Sequence, residues 1–248
     1  MSKSNVNEYY ILKYWIGLLD GSGSLEVSHW RYKFLQYKIQ IKLELSAENE
    51  IFCAQLKKDL KGYSKRDSKY IYWYEIKTSR IKRVLFPLIQ RYPLLNRNRH
   101  LEYLFMLHCM SHNRVDIYLL ERSYKYHVPV IGRSPEEIYK SFYFPIWLSG
   151  YIEARGYFNF REKSTKIFTF SISEKDDFHL IEAIKLYFGF PNNIRLVKGK
   201  YFEIEVTSVW YLTRIINQGV EYPFLGEKRV TYDKFKKCVM SSFRPDFF

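Results

Sequence analysis

Hydrophobic and polar side chains alternate strictly over residues 38–45, a pattern that predicts a β-strand with one buried face. Ile39, Ile41, Leu43 and Leu45 form its apolar set, and Ser46 follows at the position that caps a helix. The remaining periodicity predicts helices over about 8–20, 48–61, 79–91 and 97–110, and strands from near 24 and over 70–77. The strands near Trp73 and Phe202 show no consistent inward face.

The chain repeats itself. Three blocks recur in the same order with offsets of 133, 127 and 130 residues: 15–23 with 148–156, Leu45-Ser46 through Gly62 with Ile172-Ser173 through Gly189, and 92–111 with 222–241. Three ordered matches indicate a duplicated architecture. They predict an α+β fold of two αββαββα halves, residues 1–125 and 144–248.

A connector over residues 126–143 joins the two halves. It contains Pro129, Gly132 and Pro135, which are typical of a linker. Within it, Ser134 followed by Pro135 predicts a short helix with a serine N-cap and proline in the first turn.

The chain is strongly basic, with 40 Lys and Arg against 26 Asp and Glu among 248 residues, a net charge of +14. Such a balance favours a polyanionic partner, either nucleic acid or an anionic membrane. The alternative without a specific partner is a basic protein whose charge keeps it soluble. Interleaving with 23 tyrosines and 19 phenylalanines favours nucleic acid. No apolar run is long enough to span a bilayer, and we expect no membrane partner.

The composition also predicts a compartment. Abundant Tyr, Phe, Lys, Ile and Asn is typical of AT-rich coding genomes, so we expect an intracellular protein of a mitochondrion or another organelle. Cys53, Cys109 and Cys238 lack disulfide or zinc spacing, in keeping with a reducing environment. His108 and His112 flank Cys109 but have no third ligand at recognisable spacing, so we predict no metal there.

Two nine-residue blocks, 15–23 (WIGLLDGSG) and 148–156 (LSGYIEARG), resemble the paired LAGLIDADG motifs of single-chain homing endonucleases and their maturase relatives. The resemblance extends over nearly the whole chain, through Gly62, Gly189 and the Leu-Gly-x-Lys block at 225–228. It implies a saddle-shaped antiparallel sheet in each half, lying along nucleic acid. It also implies a monomer with an internal pseudo-twofold.

Small residues recur one turn apart on both motif helices. At this spacing two helix backbones approach closely, so we predict that the motif helices pack together. Gly23 and Gly156 are expected to end these helices as residues just past the C-terminus. The predicted interface consists of Gly17, Gly21, Gly150 and Ala154.

The alternation, the net charge and the resemblance together predict which side chains face nucleic acid, duplex DNA or structured RNA. Long polar side chains can contact phosphates and base edges. In each strand the opposite set, including Leu25, Val27, Phe158, Phe160, Phe168, Phe170 and Ile172, is expected in the core. The predicted contact set is Glu26, Ser28, Trp30, Lys38, Gln40, Lys42, Glu44, Asn159, Arg161, Lys163, Thr169 and Ser171.

The family's hydrolysis needs a carboxylate at the eighth motif position of each half, where the two acids hold divalent metal. Those positions are Ser22 and Arg155 here. Asp20 and Glu153 stand at the sixth position, a rotation of roughly 200° away. We therefore expect cleavage to be lost, with Mg²⁺ the implied cofactor only if the chain is active.

A family active-site lysine occurs on one side only. It is Lys228, and its repeat partner is Asn98. Three functions stay open: a maturase-like or other RNA- or ribonucleoprotein-binding cofactor, a site-specific double-strand DNA endonuclease with an altered site, and a catalytically inactive descendant that still binds its DNA target.

Overall fold

The protein divides into two compact units, Met1–Gly132 and Arg133–Phe248, in a computed structural model that describes residues 8–127, 133–162 and 166–242. The predicted boundaries at 125 and 144 stay predictions. One helix of the predicted linker, α7 (Pro135–Tyr139), packs on α9 (Phe178–Phe188) of the second unit. Its Ser134 cap is confirmed, because the side chains and backbones of Ser134 and Glu137 form a capping box.

The first unit has one four-stranded antiparallel sheet of order β1-β2-β4-β3. Helices cover one face of it, and the strand order follows from two hairpins joined through a helix. Its elements are α1 (Glu8–Ser22), β1 (Gly23–Trp30), β2 (Phe34–Glu44), α2 (Ala47–Asp59), β3 (Tyr63–Arg66), β4 (Tyr70–Glu75), α3 (Thr78–Arg80), a π-helical turn (Ile81–Leu85), α4 (Phe86–Arg91), α5 (Arg97–His112) and α6 (Val115–Glu121).

The second unit repeats this order with a second four-stranded antiparallel sheet, β5-β6-β8-β7. The predicted α+β class and αββαββα order are thereby confirmed. After α7 come α8 (Phe144–Arg155), β5 (Gly156–Glu162), β6 (Lys166–Lys175), α9, β7 (Arg195–Val197), β8 (Tyr201–Val206), α10 (Val209–Glu221) and α11 (Lys228–Ser241). Among the residues that the structure describes, no helix combines the length and apolar character needed to cross a bilayer.

Strand register corrects one repeat correspondence. Gly23 pairs with Ile41 in the first sheet, and Gly156 pairs with Ile172 in the second. Since both glycines end a motif block, Ile172 corresponds to Ile41 and not to Leu45. The predicted match of Leu45 with Ile172 is therefore wrong.

The helix caps show why that match failed. Ser46 caps α2 by accepting from the Asn49 N–H, and Asp177 caps α9, so these two residues correspond. Sixteen residues separate Ser46 from Gly62, whereas twelve separate Asp177 from Gly189. Aligning the two halves on Gly62 and Gly189 therefore shifted the correspondence between their strands by four residues.

The strand faces largely follow the predicted alternation. Ile39, Ile41 and Leu43 are buried, but Leu45 lies beyond β2 and is 37% exposed, contrary to prediction. Val27 and Phe160 are only half-buried. The inward face of β4, which the sequence left unassigned, consists of Ile71, Trp73 and Glu75, with Trp73 packed edge-to-face on Trp15 of α1.

The two motif helices run directly into strands. Gly156 ends α8 as predicted, as its C-cap, with an extended backbone (φ −72°, ψ 145°) that leads directly into β5. Because this φ suits any residue, glycine is needed there for space. A Cβ at Gly156 would lie 2.5 Å from Ile152 Cγ2, and one at Gly23 would lie 2.5 Å from the Leu19 carbonyl oxygen.

The three thiols should differ sharply in reactivity. Burial raises the pKa of Cys53 to about 12, and burial followed by the charge of Glu121 raises that of Cys109 to about 11, while Cys238 is half-buried. A maleimide at about pH 8 should modify Cys238 first and the other two only after denaturation, as intact mass would record. Equal labelling rates in the native protein would contradict this burial.

The same shifts give the pH dependence its sign. The unfolded chain releases these thiol protons near the ordinary pKa of 9.0, before the folded chain does. The stabilisation is therefore complete below about pH 9 and is lost as pH rises towards 12.

Candidate nucleic-acid interface

The first motif helix ends without a carboxylate at its tip. Ser22 is half-buried, and its hydroxyl donates to the Leu18 carbonyl of its own helix at 3.2 Å. The nearby acid, Asp20, is completely buried and accepts a 2.8 Å hydrogen bond from the Leu95 backbone N–H. Asp20 thus connects α1 to the loop before α5.

The second motif helix repeats this arrangement with a longer acid. Glu153 is 6% exposed and accepts from the backbone N–H groups of Gly226 at 3.1 Å and Lys228 at 2.8 Å. It therefore connects α8 to the start of α11. Both sixth-position acids engage the same kind of loop, so their local contacts are those of structural carboxylates.

Arg155 belongs to a polar network in the second unit. Its Nε lies 3.6 Å from Oε2 of Glu174, which is 4% exposed on the inward face of β6. The Tyr151 hydroxyl donates to the same oxygen. Burial, followed by the charge of Glu174, raises the pKa of Tyr151 well above its ordinary value, so the phenol remains a donor.

The first unit provides an internal comparison for this network. By motif position and strand register, Leu18 stands where Tyr151 stands, and Leu43 stands where Glu174 stands. Both leucines are buried. In the second unit Arg155 therefore has a buried acid, Glu174, with its phenol donor, whereas in the first unit Ser22 has apolar residues at the equivalent positions.

Lys228 and Asn98 start the corresponding helices of the two units. Lys228 is the first residue of α11, and Asn98 is in the first turn of α5, whose N-cap is Asn96. Both are half-buried. Neighbouring Arg99 forms a 2.6 Å ion pair with Glu102, which removes it from the candidate contacts.

The outward face of the first sheet carries every side chain predicted for it. Exposed or half-buried polar residues follow β1 and β2 in register, with Glu26 opposite Lys38. Glu26 accepts from Gln40 at 2.6 Å and from Ser24 at 2.7 Å, and lies 3.6 Å from Lys38. The residues placed on this face are Glu26, Ser28, Trp30, Lys38, Gln40, Lys42 and Glu44.

The sequence interpretation missed the tyrosines on the other two strands of this sheet. Tyr70, Tyr72 and Tyr74 alternate with the buried residues of β4, and Tyr63 of β3 pairs with Tyr74. A tyrosine at every second position was visible in the sequence. It was obscured because Ile71 and Trp73 make the opposite face equally apolar.

The outward face of the second sheet is different in character. Asn159, Thr169 and Ser171 are half-buried there, as predicted, and Tyr157 is 60% exposed. Arg161 lies on β5 opposite Ile167, and Lys163 lies outside the described residues.

Acidic residues occupy the β8 side of the second sheet. Glu203 and Glu205 stand on β8, where Arg195 of β7 lies 2.8 and 3.5 Å from their carboxylates. This part of the second outward face therefore offers negative charge that a neighbouring cation partly balances.

The small residues of the motif helices are mostly buried. Gly17, Gly21 and Gly150 are buried on α1 and α8, and Ala154 is half-buried. Their mutual contact stays a prediction.

Within the described ranges, no three His, Cys, Asp or Glu side chains are grouped as metal ligands. The His108 ring instead contacts Glu121, at 2.7 Å.

Comparison with known proteins places these features in a family context. A family model described as LAGLIDADG endonuclease matches residues 15–110 and 148–239. The "probable intron-encoded endonuclease aI3" of Dictyostelium citrinum is 33% identical over 242 residues, spanning 95% of this chain and 98% of that protein. The protein of the same name from Dictyostelium discoideum is 31% identical, with coverage of 92% and 96%.

Solved structures share the fold. Meganuclease I-SmaMI bound to uncleavable DNA matches with a TM-score of 0.75 at 17% identity, over 96% of this chain and 92% of the other. The LAGLIDADG homing endonuclease I-LtrWI bound to target DNA matches with a TM-score of 0.76 at 19% identity, over 94% and 91%.

Proposed function

This chain belongs to the LAGLIDADG endonuclease family, and from that premise we propose that it binds nucleic acid without cleaving it, as an intron-maturase-like or other RNA- or ribonucleoprotein-binding cofactor. The observation that carries the proposal is the pair Ser22 and Arg155 at the two positions where the family places metal-binding acids. The basic charge of +14 supplies the attraction for a polyanion.

The residues present do not fit the family's divalent metal. Magnesium prefers charged oxygen ligands, and the neutral Ser22 hydroxyl already donates within its own helix. Arg155 adds a fixed positive charge at the other position, which repels a cation. The two remaining acids, Asp20 and Glu153, accept backbone hydrogen bonds. No hydrolytic step follows from such a set.

Arg155 suits a different role, contact with a phosphate. Its side chain is 37% exposed, and Glu174 contacts it through Nε. A guanidinium that contacts an acid through Nε still presents its two terminal nitrogens in the geometry that binds phosphate oxygens.

The alternative function is a site-specific double-strand DNA endonuclease, either active through an altered site or inactive but still DNA-binding. The names of the relatives and the DNA-bound solved structures favour it. The names also describe intron-encoded proteins, which supports our proposal of a mitochondrial or other organellar setting. We propose a monomer as the binding species.

The first experiment is crosslinking in native cells, followed by sequencing of the recovered nucleic acid. We expect intron or ribosomal RNA to dominate. The recovered sequences are then offered to the purified protein as RNA and as duplex DNA with Mg²⁺, and we expect binding without strand scission. A single recovered duplex site, cut in a metal-dependent way, would establish the alternative.

Arg155→Ala tests the phosphate contact itself. Because a phosphate contact carries no sequence information, affinity should fall on every bound sequence alike, and the slope of log K against log salt should decrease by about one. Arg195→Ala is the matched control, because Arg195 is already balanced by two glutamates. An unchanged salt slope in Arg155→Ala would contradict the contact.

A further inference from the structure

Four tyrosines form a continuous outward surface on the β3–β4 side of the first sheet. Tyr70, Tyr72 and Tyr74 project from one face of β4, because the residues between them are buried. Tyr63 joins them by pairing with Tyr74 across the strands. All four are half-buried, so part of each ring remains accessible. We call this set the tyrosine surface.

Local contacts fix the rings of the tyrosine surface. Tyr63 and Tyr74 stack with centroids 5.6 Å apart and an interplanar angle of 26°. The Tyr72 hydroxyl donates to Asp67 at 2.9 Å, and Asp67 in turn accepts from the Tyr70 N–H at 2.8 Å. The Tyr72 phenol is thereby engaged, so what it offers a ligand is its ring.

Lysine ammonium groups lie over three of these rings. Lys42 Nζ lies 3.5 Å from the centroid of Tyr70, Lys65 Nζ lies 5.2 Å from that of Tyr72, and Lys77 Nζ lies 5.7 Å from that of Tyr63. These are cation–π distances. Such an array offers rings on which flat bases can stack and ammonium groups that attract the phosphates joining them.

The second unit keeps only part of this surface, because Tyr201 corresponds to Tyr70 but the next two outward positions of β8 are not aromatic. Because Trp73 pairs with Ile41 and Ile204 pairs with Ile172, Tyr72 and Tyr74 correspond to Glu203 and Glu205. Carboxylates repel phosphates and provide no ring for stacking. The duplicated fold therefore provides its own comparison, with an array of tyrosines and lysines in one copy and a single tyrosine beside two carboxylates in the other.

We infer that the tyrosine surface binds unpaired nucleobases of a single-stranded segment by stacking, and that only the first unit does so. The inference rests on the proposed nucleic-acid binding and specifies which form of nucleic acid this face prefers. Bases in a duplex are stacked on each other and offer only their edges, whereas unpaired bases of RNA loops offer whole ring faces. A single-stranded RNA is the expected natural source, and single-stranded DNA shares the same base chemistry.

Fluorescence anisotropy with the full chain tests the inference. The probes are an unstructured RNA of about 12 nucleotides, the same sequence as single-stranded DNA, and the corresponding duplex DNA. Tyr72→Leu combined with Tyr74→Leu should weaken single-strand binding by on the order of tenfold or more, and duplex binding by less than about twofold. Tyr124→Leu, an exposed tyrosine beyond α6 and outside both sheets, is the matched control and should change neither.

Abasic probes identify stacking as the cause. Replacing central bases by abasic sites should weaken binding to the unmodified protein by a similar factor. The affinity of the double variant should be the same for the abasic and the intact probe. Tyr72→Phe removes the Asp67 contact but keeps the ring, so it should bind single strands within about twofold of the unmodified protein. This second variant keeps the test informative if the leucine variants fold poorly.

The outcomes separate the two proposals. Binding of either single strand that depends on Tyr72, Tyr74 and the bases supports the surface, and the ratio of RNA to DNA affinity assigns its source. Equal losses on single strand and duplex, or indifference of the unmodified protein to abasic sites, would overturn the inference while nucleic-acid binding stands. Failure of the unmodified protein to bind any of the probes or the crosslinked sequences would overturn both.

Discussion

Arg155→Glu, the change that returns an acid to the second motif helix, is expected to destabilise the protein and to restore no activity by itself. The new carboxylate would face Glu174, whose Oε2 lies 3.6 Å from Arg155 Nε in a position only 4% exposed. Losing the cation and adding a like charge should cost about 1–3 kcal/mol, reduced by the partial exposure of Arg155.

The pH dependence of this loss has a definite sign. Two adjacent carboxylates can share one proton at about pH 5, which relieves their repulsion. The difference in free energy of unfolding between variant and unmodified protein should therefore be smaller at pH 5 than at neutral pH. Urea denaturation at the two pH values measures it, and a pH-independent difference would contradict the predicted repulsion.

The first unit indicates how the second must change to accept an acid. Its equivalents of Glu174 and Tyr151 are the buried leucines Leu43 and Leu18, so Glu174→Leu would remove the repulsion of a new acid with a residue that this fold already packs at that position. Any metal-dependent cutting of a bound DNA should require Ser22→Asp and Arg155→Glu in combination with Glu174→Leu and Tyr151→Phe. The matched control retains Glu174 and Tyr151. Cutting by that control would show that the network is irrelevant.

The same variants separate the remaining functions. Site-specific cutting by the fourfold variant would show that the DNA-reading surface is intact, which favours an inactive descendant that still binds DNA. Continued RNA binding with no cutting of any DNA would favour the maturase-like cofactor. Cutting by the unmodified protein would instead establish an altered active site.

Glu153→Ala, which removes the acid of the second motif block, is expected to destabilise the protein strongly. It removes the acceptor of two backbone N–H groups, those of Gly226 and Lys228, near the start of α11. Leaving them unsatisfied should cost about 3–5 kcal/mol of the free energy of unfolding. Asp20→Ala leaves the Leu95 N–H without this acceptor and should cost about 2–3 kcal/mol.

Conservative variants and a surface control make this measurement specific. Glu153→Gln keeps one acceptor oxygen and should lie between the unmodified protein and the alanine variant in urea denaturation. Glu221→Ala, at the exposed end of α10, should change stability by less than about 0.5 kcal/mol. If Glu153→Ala kept full stability but lost a metal-dependent activity, Glu153 would be a catalytic residue and not a structural one.

Much of the fold follows from local sequence. The alternation over 38–45 and the capping residues Ser46 and Ser134 specify their elements through contacts a few residues away, so β2, α2 and α7 were predictable. The duplicated motifs specify the order of elements twice. The replacement of the motif acids by Ser22 and Arg155 is equally visible without a structure.

What the sequence could not specify depends on residues distant along the chain. Both faces of β4 carry aromatic or apolar side chains, so only its pairing with β2 and β3 decides that Trp73 is buried and the tyrosine surface faces outward. Glu174 reads as an ordinary polar strand residue until the fold brings it to Arg155 and Tyr151 of α8. Sequence by itself determined the family, the two halves and the loss of the metal-binding acids, because those are written in local motifs. Tertiary structure alone decided which carboxylates are structural, what anchors Arg155 and which sheet carries the aromatic surface, because burial and partner choice depend on long-range packing.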